Sequence, residues 1–121
     1  MKRDFDLVRK IILEIRELPA NSLPVGLEYP DEYDQDVVNE HIRLLIEAGL
    51  IEGNIIDSLD GIFEVQVHRL TWNGQDFADS IQDETLWKKA KSTVLKPAVS
   101  FTFDLLLQWL KSQAGALIGL P

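Results

Sequence analysis

The chain has 121 residues, 45% of them hydrophobic, which is the size and composition of one domain built around a single core. It contains no cysteine, so disulfide frameworks and thiolate metal sites are excluded and a reducing cytoplasm is the expected compartment. Its formal charge of -8 repels phosphate backbones unless the cations gather on one face. They gather only in part. Residues 28–47 carry seven acids (Glu28, Asp31, Glu32, Asp34, Asp36, Glu40 and Glu47) against Arg43 alone, whereas Lys88, Lys89, Lys91 and Lys96 have no acid between them.

Asp4 and Asp6 stand where a secretory leader would begin its apolar stretch, so no leader is expected. Phe5, Val8, Ile12 and Ile15 recur at helical spacing with Ile11 and Leu18 beside them, while Asp6, Arg9, Lys10, Arg16 and Glu17 turn outward. This predicts a first helix with Asp4 as N-cap, ended by Pro19, Asn21 and Pro24 because proline lacks an amide donor. Val25, Leu27 and Tyr29 alternate and predict a short edge strand before the acidic turn Pro30-Asp31-Glu32. A second helix is predicted from Asp34 to Ala48, with Val38, His41, Leu45 and Ala48 inward, Val37 and Leu44 beside them, and Gly49 as its stop.

Leu50-Ile51 resumes an extended chain. Asn54 to Leu59 and Ile62 to Arg69 predict a hairpin around Asp60-Gly61, with Phe63, Val65 and Val67 alternating against Glu64, Gln66 and His68. Thr71 is placed to cap a third helix that turns Phe77, Ala78 and Ile81 inward. A fourth helix is expected over residues 85–95, a break at Pro97, and a last helix from Ser100.

In that last helix Phe103, Leu106, Leu107, Leu110, Ala114 and Leu117 form one apolar stripe and Leu105, Trp109 and Ala116 a second, leaving Asp104, Gln108, Lys111 and Gly115 as a narrow polar strip. One stripe can pack on the body, and the other needs a cover because large apolar patches are rare on monomers. The expectation is a homodimer through residues 100–118 with Leu105 and Trp109 at the subunit contact. The alternative folds both stripes onto the Trp72 and Trp87 region of the same chain. Asp104, Gln108, Lys111, Ser112 and Gln113 interrupt the apolar run, so no membrane span is expected.

The order of helix, acidic connector, helix, hairpin and three further helices is α+β and mainly α. It resembles the winged helix-turn-helix layout on three blocks: Val38-Asn39-Glu40-His41-Ile42-Arg43-Leu44-Leu45 with Ala48-Gly49-Leu50-Ile51, the hairpin at Asp60-Gly61, and Leu70-Thr71-x-x-Gly74-x-x-Phe77. The resemblance implies a winged-helix-like domain over 1–96 with the hairpin as its wing, an apolar packing or dimerisation extension over 97–121, and a second helix that would face DNA. The chain is also similar, nearly end to end, to domain-of-unknown-function family 2513, short bacterial and prophage proteins. Met1-Lys2-Arg3-Asp4-x-Asp6-Leu7-x-Arg9, His41-x-x-Leu44-Leu45-x-x-Ala48-Gly49-Leu50-Ile51, Leu70-Thr71-Trp72-x-Gly74-x-Asp76-Phe77 and Trp87 carry that similarity. It implies a mobile-element association and no activity that residues could inherit.

Outward on the second helix lie Asp34, Gln35, Asp36, Asn39, Glu40, Arg43 and Glu47. Gln35, Asn39 and Arg43 could contact base edges, but the accompanying carboxylates oppose phosphate. Asp57 and Asp60 at the proposed wing tip add no cation. The face is therefore expected to meet a protein partner through Asp36, Asn39, Glu40 and Arg43, or to mimic a phosphate-rich ligand, with a merely solvated helix face as the plain alternative. A DNA-binding regulator is the competing class. Lys88, Lys91 and Lys96 do not form one tight helical stripe, so a solvated face is expected there too.

His41, beside Leu44 and Leu45, reads as a structural histidine, and His68 has no second ligand near it in sequence. The acids from Asp31 to Asp36 lack the glycine and distal glutamate of a calcium loop, and no phosphate loop or nucleophile elbow occurs. No catalytic, metal or cofactor-binding residue is expected, and the chain is not read as an enzyme.

Overall fold

The computed structural model describes residues 1–61, 63–95 and 102–117, with side chains as far as residue 113. The chain divides into two compact units, Met1–Ala78 and Asp79–Pro121.

The first unit opens with α1 (Phe5–Arg16), whose N-cap Asp4 accepts the amides of Asp6 at 3.0 Å and Leu7 at 3.2 Å. Two orphan donors of the first turn are thereby satisfied, and Leu7, Val8, Ile11, Ile12 and Ile15 are buried along one side. The next helix, α2 (Gln35–Glu47), buries Val38, His41, Ile42 and Leu45. Ala48, expected inward, is exposed beyond the helix end, and Ile42 takes the place because it lies four residues after Val38 and three before Leu45. Gly49, at φ 77°, terminates α2. The amide of Leu50 returns to the Leu45 carbonyl at 3.0 Å and that of Gly49 to Ile46 at 3.0 Å, a Schellman arrangement.

The strands β1 (Ile51–Asp57) and β2 (Phe63–Leu70) pair antiparallel, with Ile51 opposite Leu70, Asp57 opposite Phe63 and a bulge at Glu52/Gly53. Between them the Gly61 amide returns to the Ser58 carbonyl at 3.3 Å. The edge strand expected over 25–29 shrinks to a single bridge, in which Val25 and Val67 exchange backbone hydrogen bonds of 3.0 and 2.7 Å. The neighbouring carbonyls are used elsewhere. That of Leu27 accepts the Gln35 side-chain amide at 2.9 Å, and that of Tyr29 accepts the amides of Glu32 and Tyr33 at 3.0 and 2.9 Å, so no ladder extends. In this unit α1 packs on α2 and β2, and α2 packs on both strands.

The strand ends and the next helix, α3 (Trp72–Ile81), meet at a tight junction. Thr71 donates its amide to the Leu50 carbonyl at 3.0 Å and its hydroxyl to the Gly49 carbonyl at 2.6 Å, and the same hydroxyl accepts the Gly74 amide at 3.0 Å. Thr71 is thus the expected cap of α3 and also a clamp on the end of α2. Gly74 is required there because a Cβ would lie 2.0 Å from the Leu50 carbonyl oxygen. Phe77, Ala78 and Ile81 are buried as expected.

Within the second unit α4 (Glu84–Thr93) starts one residue before the expected 85, because the Asp83 carboxylate caps it by accepting the Leu86 amide at 2.7 Å. It packs on α5 (Phe103–Leu117), where the Thr102 hydroxyl accepts the Leu105 amide at 3.3 Å. Trp87, Ala90, Leu106 and Leu110 are buried, and Leu105 is exposed. Trp72 is 83% exposed. Ile62 as the start of the return strand, Lys96, the break at Pro97, the helix start at Ser100, the 96/97 boundary and the side chains of Ala114, Gly115, Ala116 and Leu117 lie outside the described residues. No helix among the described residues is long and apolar enough to cross a membrane.

Gly74→Ala tests the junction. A helical alanine is intrinsically favoured over glycine by about 0.5–1 kcal/mol, but the clash is with backbone that cannot rotate away. The net expectation is a loss of about 1–3 kcal/mol, read from the urea midpoint. Unchanged or raised stability would contradict the close approach.

Candidate functional site

The outward face of α2 is where partner contacts are expected from the sequence alone. Its polar residues are not all free to make them. Gln35 donates to the Leu27 carbonyl at 2.9 Å and to Asn39 Oδ1 at 2.8 Å, and Asn39 in turn donates to the Phe63 carbonyl of β2 at 3.4 Å. The Arg43 guanidinium lies over the Phe63 ring, 5.2 Å from its centroid. Asn39 and Arg43, one turn apart on the helix, are therefore brought together at one hairpin residue. Asp36 is exposed and Glu40 half-buried, and no ion pair is found for either among the described residues. Phe63 went unrecognised as part of this face because alternation along the strand marks it only as a core position.

The acidic connector is tied down from α1. Lys10 pairs with Glu32 and lies over the Tyr29 ring, 5.2 Å from its centroid, while the Tyr29 hydroxyl donates to Glu14. Glu28, Asp31, Asp34 and Asp36 stay exposed around this anchor, so the connector and the start of α2 form one negative surface. Desolvation first, and then the Glu14 and Glu32 carboxylates, push the Tyr29 phenol far above its ordinary range. Desolvation first, and then the carboxylates of Asp4, Asp6 and Glu32, with Asp4 also as hydrogen-bond acceptor, push Tyr33 up to about 12.

His41 is the buried polar group of the first unit, 1% exposed. Its Nε2 accepts the Asp4 amide at 2.8 Å and its Nδ1 lies 2.8 Å from the Val37 carbonyl. A carbonyl only accepts, so the ring proton sits on Nδ1 and both nitrogens are used. The histidine joins α2 to the N-cap of α1, and neither nitrogen is left for a ligand. His68 lies on the outer side of the hairpin, where its Nε2 accepts from Asn54 Nδ2 at 3.0 Å. Glu52 and Arg69 pair at 2.6 Å across the strands, an exposed pair of little energetic weight. Among the described residues no three His, Cys, Asp or Glu side chains are grouped to hold a metal ion.

In the second unit Leu105 is 47% exposed and Trp109 half-buried on α5, while Leu106 and Leu110 are fully buried. Phe103 and Leu107 are half-buried like Trp109. Lys88, Lys89 and Lys91 are exposed on α4.

Two measurements test this geometry. In a double-mutant cycle, Arg43→Ala and Phe63→Leu should show a coupling of about 0.5–1 kcal/mol in unfolding free energy, and additivity would remove the contact. Phenolate absorbance of the folded chain should be absent near pH 10 and rise only toward about 12 as Tyr33 ionises. A folded-state value above the unfolded one stabilises fully below about pH 10, and that increment is lost as the pH climbs to the folded value. Ordinary titration of both phenols near pH 10 would refute the carboxylate contacts.

An uncharacterized protein of Haemophilus influenzae is 32% identical to this chain over 111 residues, covering 89% of this chain and 91% of that protein. No solved structure matches. The family described as "Hypothetical protein (DUF2513)" matches residues 2–100. With its profile spanning most of the sequence and a relative of that similarity, the chain belongs to domain-of-unknown-function family 2513.

Proposed function

We propose that this protein is a non-enzymatic, cytoplasmic interaction or regulatory module on a winged-helix body, associated with a phage or mobile element, that offers an acidic helix face to a protein partner. The observation that carries this reading is the state of α2. Gln35, Asn39 and Arg43, the side chains suited to base edges, are engaged by the connector and β2, whereas Asp34, Asp36 and Glu47 are exposed. A duplex approaching this face meets carboxylates and gains no counterion release, and freeing the Gln35 and Asn39 side chains costs about 1 kcal/mol per hydrogen bond. The hairpin does not compensate: from Gly53 to His68 it holds Asp57, Asp60 and Glu64 and neither lysine nor arginine. Asp36 and Glu40 supply the charge for the partner, with Asn39 and Arg43 at the edge of the contact. The chain works as a homodimer through α5, with Leu105 and Trp109 as the apolar contact.

The second reading, a winged-helix transcriptional regulator, draws on the same helix and needs Arg43 released from Phe63. Gel-shift titration with host genomic fragments separates the two. No complex is expected at about 150 mM salt; a complex that weakens steeply between about 50 and 200 mM and is lost in Arg43→Ala would replace the interaction module with the regulator. For the subunit contact, sedimentation velocity should give a dimer for the native chain and a monomer of unchanged circular dichroism for the Leu105→Ser, Trp109→Ser variant. A native monomer refutes dimerisation.

A further inference from the structure

We draw no further inference here: the strongest candidate, the apolar tip of the β1–β2 hairpin, where Leu59 is fully exposed between Asp57 and Asp60 and Ile56 is 45% exposed, carries nothing because nothing in the structure shows what covers it.

Discussion

Where the Leu50 carbonyl meets Gly74, there is no space for even one methyl group, and the first unit is organised about that approach. The carbonyl belongs to the residue that closes α2, and it takes the Thr71 amide at 3.0 Å as β2 turns into α3. The end of one helix, the start of another and both ends of the hairpin are thus held at a single point. Thr71 secures it with a hydroxyl used twice, once as donor to Gly49 and once as acceptor from Gly74. Because these are short, directional contacts, the hairpin cannot slide along α2 without breaking them, at a cost of about 0.5–1.5 kcal/mol for each hydrogen bond.

A second polar contact fixes the other side of α2. His41 is almost wholly buried, yet both ring nitrogens are satisfied, one by the Asp4 amide and one by the Val37 carbonyl. Asp4 thereby works twice, its carboxylate capping α1 and its backbone binding α2. Burial of Leu7, Ile11, Ile12, Val38 and Ile42 supplies the driving force, roughly 1.5–3 kcal/mol for each large side chain, but apolar contact alone is non-directional. The histidine sets which residue of α2 stands against the start of α1.

With α2 held at its C-terminal end and at mid-helix, its outward face has one available relation to the hairpin, and this decides the chemistry it presents. Residues that read as independent polar contacts in the sequence become parts of a clasp: Asn39 and Arg43 on Phe63, Gln35 on Leu27. The carboxylates, which gain nothing from packing and lose hydration if buried, are left toward solvent. The acidity of the face is thus a consequence of which side chains could be used internally. Net charge alone does not produce it.

Much of this was legible from periodicity and capping chemistry. The inward sides of β2 and α3, that of α1 apart from the unexpected burial of Leu7, the caps at Asp4 and Thr71, the stop at Gly49 and the structural role of His41 follow from spacing and from groups that act within a few residues of themselves. What failed depended on competition between distant partners. Val25 to Tyr29 has the alternation of a strand, but Gln35 and the turn after Tyr29 claim the carbonyls a ladder would need. Ala48 fits the helical stripe, but the Schellman turn ends α2 before it. The meeting of Leu50 with Gly74 and of Arg43 with Phe63 joins residues some 20 or more positions apart, and no local rule of sequence carries distance across that gap. Sequence therefore determined the elements and their apolar sides, because these are set by neighbours three or four residues away. Tertiary structure alone decided which polar groups were consumed in holding the elements together and which remained exposed, because that choice depends on partners far apart in the chain.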